Sequence, residues 1–132
     1  MNIPDNFQVI DHALIHHKLG LIRDKNTRSK EFRELVTEVT MLLAYETTKD
    51  LTLNDAEVQT PITTAQVKTI AVADIVLVPI LRAGLGMVEG MLKLIPNARV
   101  GYVGMERDHE THQPVDYYFR IPNQAHKRTF IV

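Results

Sequence analysis

The chain has 132 residues, 45% of them hydrophobic and 23% charged, which is one domain's worth and too apolar for a disordered polypeptide. Fifteen Lys and Arg stand against sixteen Asp and Glu, a formal net charge of −1; without a basic excess, neither nucleic acid nor a membrane surface is an expected partner. Cysteine is absent, which excludes disulfides, thiolate catalysis and Cys-ligated metal centres and suits a reducing cytoplasm. The opening residues show no signal-peptide pattern. The longest apolar run is Ile75–Leu81, seven residues, where a membrane helix needs about 20.

In chain order, His12–Ile22 is a short amphipathic segment and Asp24–Arg28 a loop. Ser29–Thr48 is strongly periodic: Phe32, Leu35, Val36, Val39, Leu42, Leu43 and Glu46 fall at three- and four-residue steps, which predicts a helix with Ser29 as its N-cap. Glu57–Ile70 is rich in Val, Thr and Ile, with Pro61 in its middle, and reads as a two-stranded arm. Asp74–Leu81 has the continuous apolar character of a strand covered on both faces. A helix is expected over Gly84–Ile95, then a turn at Pro96-Asn97 and a buried strand over Val100–Met105. Arg107–Gln113 is a polar loop, Val115–Ile121 an alternating aromatic strand, and Phe130–Val132 the beginning of another. Strand, helix and strand at this spacing make a βαβ unit, so the class is α/β with a largely parallel sheet flanked by helices.

The chemistry concentrates in Val78–Met87. A buried strand runs into Arg82-Ala83-Gly84-Leu85-Gly86, and a helix follows. Glycines let backbone N–H groups approach an anion, the helix N-terminus adds partial positive charge, and Arg82 supplies a planar fork of donors. The combination describes a phosphate or pyrophosphate cradle, against the plainer reading of a tight turn with a solvated arginine. Arg107 should lie at the same sheet edge, on a loop, unless it is a local ion-pair partner of Glu106 or Asp108. A rival motif is the dinucleotide-binding fingerprint, but Gly84, Gly86 and Gly90 stand at positions one, three and seven where it wants one, three and six. Glu106, 20 residues after Gly86, would be its ribose-binding acid. His12 and His16, four apart, and His109 and His112, three apart, do not match the His-Glu-x-x-His spacing of a zinc helix. His12 and His16 are expected on a partly buried helix face, and no metal ligand is assigned.

Lys18-Leu-Gly-Leu-Ile-Arg-Asp-Lys-Asn-Thr27, Glu31-Phe-Arg-Glu-Leu35, Met41-Leu-Leu-Ala-Tyr-Glu46, Pro79–Pro96, Glu106-Arg-Asp108 and Pro114-Val-Asp-Tyr-Tyr-Phe119 together resemble bacterial-type uracil phosphoribosyltransferase over essentially the whole chain. The resemblance implies a type I phosphoribosyltransferase fold with a β-arm, and the conversion of uracil and phosphoribosyl pyrophosphate to UMP and pyrophosphate. It implies that Arg82 and Arg107 contact phosphoribosyl pyrophosphate, with the backbone of Ala83, Gly84, Leu85 and Gly86 as the pyrophosphate loop. It further implies Mg²⁺ accompanying the diphosphate, GTP as an allosteric activator in some relatives, a homodimer and a cytoplasmic setting. Family members continue from the last strand into a ribose-binding loop and a base-reading segment. Residues 1–132 are therefore expected to form a single, C-terminally truncated phosphoribosyltransferase domain, inactive and poorly soluble alone. The alternatives are a non-catalytic truncated paralogue acting as a dimerising or anion-binding module, and a dinucleotide-binding βαβ domain.

Overall fold

The computed structural model describes residues 9–122 and 128–132. Two helices come first, α1 (Ala13–Arg23) and α2 (Ser29–Thr47). A hairpin of β1 (Asn54–Gln59) and β2 (Thr64–Thr69) follows, then a 3-10 turn at Val72–Asp74 and the strands β3 (Ile75–Leu77) and β4 (Ile80–Leu81). Helix α3 (Leu85–Leu94) leads to β5 (Arg99–Val100), β6 (Tyr102–Arg107), β7 (Pro114–Arg120) and β8 (Thr129–Ile131). The fold is α/β, as expected. No helix among the described residues is long and apolar enough to cross a membrane.

Each expected strand at the centre is split. β3 pairs in parallel with β5 and β8, and β4 pairs in parallel with β6. Val76 faces Arg99 and Ile80 faces Val103, so the partner lies 23 positions on at both sides of the interruption. The strands therefore run on in one register. Pro79 has no N–H to give, which breaks the ladder. Bonds from the Gly101 N–H to the Leu77 carbonyl (2.9 Å) and from the Val103 N–H to the Pro79 carbonyl (3.4 Å) carry the pair across the gap. Ile75–Pro79 is buried throughout, but Ile80 is 45% exposed, so cover on both faces ends where the loop begins. Asp74 is in the 3-10 turn, not the strand.

The core joins Ala44 of α2, Ile75 and Leu77 of β3, and Met91 and Ile95 of α3 and its end. α2 buries Leu35, Thr37, Val39, Thr40 and Ala44, whereas Phe32 is exposed. The buried stripe is thus turned toward threonines, because α3 lies against them at Gly90. A Cβ at Gly90 would sit 2.6 Å from the Thr37 carbonyl oxygen and 2.8 Å from the Thr40 Cβ. The Thr40 hydroxyl donates to the Val36 carbonyl (2.8 Å), so its burial leaves no unpaired polar atom.

Three local expectations are corrected. Ser29 is the first residue of α2 and not its cap; extended Arg28 takes that position without a side-chain bond. The preceding loop fixes the entry instead, with the Asp24 carboxylate accepting from the Asn26 N–H (2.8 Å) and the Thr27 hydroxyl donating to the Leu21 carbonyl (2.6 Å). His12 and His16 are exposed, not partly buried. His12 caps α1, accepting from the Leu14 N–H (3.2 Å), and His16 meets Asp11 at 2.9 Å. Finally, β7 is exposed at every position rather than alternating, because its one strand partner among the described residues is β6, in antiparallel pairing.

Candidate active site

Arg82 lies where the cradle reading places it. It follows β4 at the C-terminal edge of the parallel strands, on the three-residue turn that starts α3, and its side chain is exposed. Gly84 occupies the cap position of α3. A Cβ there would lie 2.8 Å from the Ile80 nitrogen and 3.0 Å from its oxygen, so the turn can fold back on β4 only with glycine. The Gly84 N–H donates to the Ile80 carbonyl (2.9 Å), Leu85 to Arg82 (3.2 Å) and Met87 to Gly84 (3.1 Å). Two of the four expected loop donors, Gly84 and Leu85, thus have partners inside the turn. Ala83 and Gly86 have no backbone acceptor among the described residues.

Arg107 ends β6 and is paired opposite Pro114, so it belongs to a strand rather than the loop. It is exposed and makes no ion pair to another described residue, which leaves the local ion-pair reading without support. Leu81 is level with Gly104 and Arg82 follows it on the turn, while Arg107 stands three strand residues beyond Gly104, or about 10 Å, along the same edge. The polar loop after it is closed by Asp108, whose carboxylate accepts from the Glu110 N–H (3.0 Å), the Thr111 N–H (2.6 Å) and the Thr111 hydroxyl (2.8 Å). The Thr111 N–H leads in holding the Asp108 carboxyl below its ordinary range, with the Thr111 hydroxyl and the Glu110 N–H adding to it. His109 and His112 are exposed in this loop, and His112 has a φ of 57°.

An open pocket of about 670 Å³ lies between the β4–α3 turn and the β6–β7 hairpin, lined by Leu81, Arg82, Ala83, Met105, Glu106 and Tyr117. Glu106 lines this pocket and Arg107 does not. The structure therefore brings Arg82 and Ala83 together with Glu106 and Tyr117, and sets Arg107 at the same edge outside that pocket. Tyr117 and Met105 were not singled out from sequence. A second hollow of about 280 Å³, walled by Leu77, Val78, Pro79, Met87, Met91 and Ile131 among others, has no charged side chain among the described residues that line it, so none of these offers a phosphate a counter-charge.

No group of three or more His, Asp or Glu side chains that could hold a metal is present among the described residues. Glu106 is the single carboxylate among the described residues that line the Arg82 pocket. The donors present fit a cation brought in on a diphosphate, not one held by protein alone.

The family model described as uracil phosphoribosyltransferase matches residues 9–132. A uracil phosphoribosyltransferase of Desulfitobacterium hafniense is 59% identical over 124 residues, covering 94% of this chain and 59% of the relative. That of Thermoanaerobacter pseudethanolicus is 58% identical over 127 residues, covering 96% and 60%. The chain thus spans about three-fifths of the length of the curated relatives it matches. Among solved structures, the AQ2163 protein from Aquifex aeolicus superposes with a TM-score of 0.81 at 40% identity, covering 86% of this chain and 54% of that one.

Proposed function

The chain belongs to the uracil phosphoribosyltransferase family, and from that premise we propose that the protein transfers a phosphoribosyl group from phosphoribosyl pyrophosphate to uracil, giving UMP and pyrophosphate. The observation that carries this reading is the placement of Arg82: exposed, at the C-terminal edge of the parallel strands, on the turn that opens α3 and lining an open pocket. As the bond to pyrophosphate breaks, negative charge grows on the leaving oxygens. In this reading the Arg82 guanidinium, the N–H groups of Ala83 and Gly86 and the N-terminus of α3 meet that charge, and fixed donors aimed at developing charge lower the barrier. Gly84 and Leu85 act one step back, their N–H groups holding the turn in shape. Arg107 is assigned to the phosphoribosyl pyrophosphate as well, from the strand end beyond the pocket. Mg²⁺ would enter with the diphosphate and neutralise part of its charge; Glu106 is the residue that would meet it. GTP activation and a homodimer that uses the β1–β2 arm remain part of the proposal by family likeness.

The test is a calorimetric titration of the full chain with phosphoribosyl pyrophosphate and Mg²⁺. Arg82→Ala should weaken binding by roughly 10- to 100-fold, the value of a charge-assisted hydrogen bond, with the thermal transition unchanged because the side chain is exposed. Binding equal to wild type in that variant would mean the Arg82 pocket is not the diphosphate site.

A further inference from the structure

We propose that Tyr117 is a pyrophosphate-binding residue, its hydroxyl donating to a phosphate oxygen across the pocket from Arg82. The inference rests on reading that pocket as the pyrophosphate site. It starts from an irregularity in the hairpin. Gly104 of β6 pairs with Tyr118 and Met105 pairs with Asp116, so Tyr117 has no partner and is the extra residue of a β-bulge. A bulge turns a side chain out of the strict alternation of a strand. On the opposite strand stands a buried glycine. A Cβ at Gly104 would lie 2.7 Å from Tyr117 Cε2 and 2.8 Å from both Tyr117 Cζ and Tyr118 Cβ. The ring therefore occupies the space that any other residue at position 104 would fill.

This places the hydroxyl end of the ring. Cζ bears the hydroxyl, and Cζ lies beside Gly104, which is level with Leu81 across β4–β6. Leu81 and Arg82 line the same pocket as Tyr117. The hydroxyl makes no hydrogen bond to another described residue, and the side chain is half exposed, so the donor is free for a ligand. A phenol suits this wall. Its neutral O–H can donate to a phosphate oxygen without desolvating a second cation beside Arg82. Tyr118, next along, is paired with Gly104 and is not a pocket wall, which makes it the natural control.

The full chain is titrated calorimetrically with inorganic pyrophosphate and Mg²⁺. Tyr117→Phe keeps the ring and removes the donor, and it should weaken binding about tenfold, while Tyr118→Phe should bind as wild type does. Arg82→Ala tests the pocket independently. If Arg82→Ala loses affinity and Tyr117→Phe does not, the Tyr117 assignment is overturned and the pocket reading stands. If Tyr117→Phe binds normally and Tyr117→Ala does not, the ring is the contact and the hydroxyl assignment is equally overturned. Wild-type affinity in Arg82→Ala, or no binding by the wild type, overturns both readings.

Discussion

Asp108 and Arg107 are neighbours with different tasks. Asp108 ties the loop after β6 through two N–H groups and one hydroxyl, and those bonds favour its charged form. Its carboxyl is therefore expected to titrate below the ordinary carboxylate range in a carbon-detected NMR titration. Because the folded value is the lower one, the carboxylate's contribution to the loop is complete above its ordinary unfolded value. It is lost as pH falls through the depressed value. Thr111→Val removes the hydroxyl but keeps the leading N–H bond, so it should raise the midpoint only part of the way; no movement at all would show that the hydroxyl contributes nothing. Arg107 precedes this anchor at the strand end and has no ion pair to another described residue. Arg107→Ala should weaken phosphoribosyl pyrophosphate binding and leave the melting temperature within about two degrees, since exposed substitutions change stability by less than ~0.5 kcal/mol. A lowered melting temperature with normal affinity would make Arg107 a structural residue.

Among the elements, α2 and α3 meet with no room for a side chain at Gly90. Gly90 lies against the Thr37 backbone oxygen, which cannot move without disturbing the helix, so Gly90→Ala should cost roughly 1–3 kcal/mol by overpacking. Gly86→Ala meets only Val36 Cγ1, at 3.7 Å, and should leave stability equal or slightly higher, as alanine favours a helix. Denaturant melts of the two variants check the pair, and equal midpoints would contradict the packing account. This contrast also shows what a sequence pattern can carry. Helices α1, α2 and α3 and the turn at Pro96-Asn97 were legible because period and punctuation are local. The facing of Thr37 and Thr40 into the core was not, because it depends on a glycine about fifty positions later in the chain. The place of Arg82 on the turn between the strands and α3 was legible from its position between an apolar run and two glycines. The lining of its pocket by Tyr117 was not, because a bulge is a property of two paired strands and only Gly104 hints at it. Pro79 sat in plain view inside the apolar run, yet the run's hydrophobicity masked the interruption.

At the scale of the whole molecule, the β1–β2 hairpin stands apart. Six residue pairs join its strands, most of its positions are exposed, and among the described residues no other helix or strand packs extensively on it. A two-stranded hairpin alone is marginal in water. If a second copy covers it, amide exchange over Asn54–Thr69 should slow as protein concentration rises through the monomer–dimer range seen by sedimentation. Exchange that is slow and independent of concentration would mean the hairpin is stable unaided and would remove the support for its role as an interface. The exposed strand β7 has a different consequence. The chain contains no tryptophan and four tyrosines; two of the four, Tyr117 and Tyr118, are neighbours on β7, and Tyr117 lines the Arg82 pocket. The ultraviolet emission of this protein is therefore tyrosine emission, and half of its emitters sit at one spot. Tyrosine emission therefore draws heavily on that strand, so ligand arrival at Tyr117 can be followed without attaching a dye.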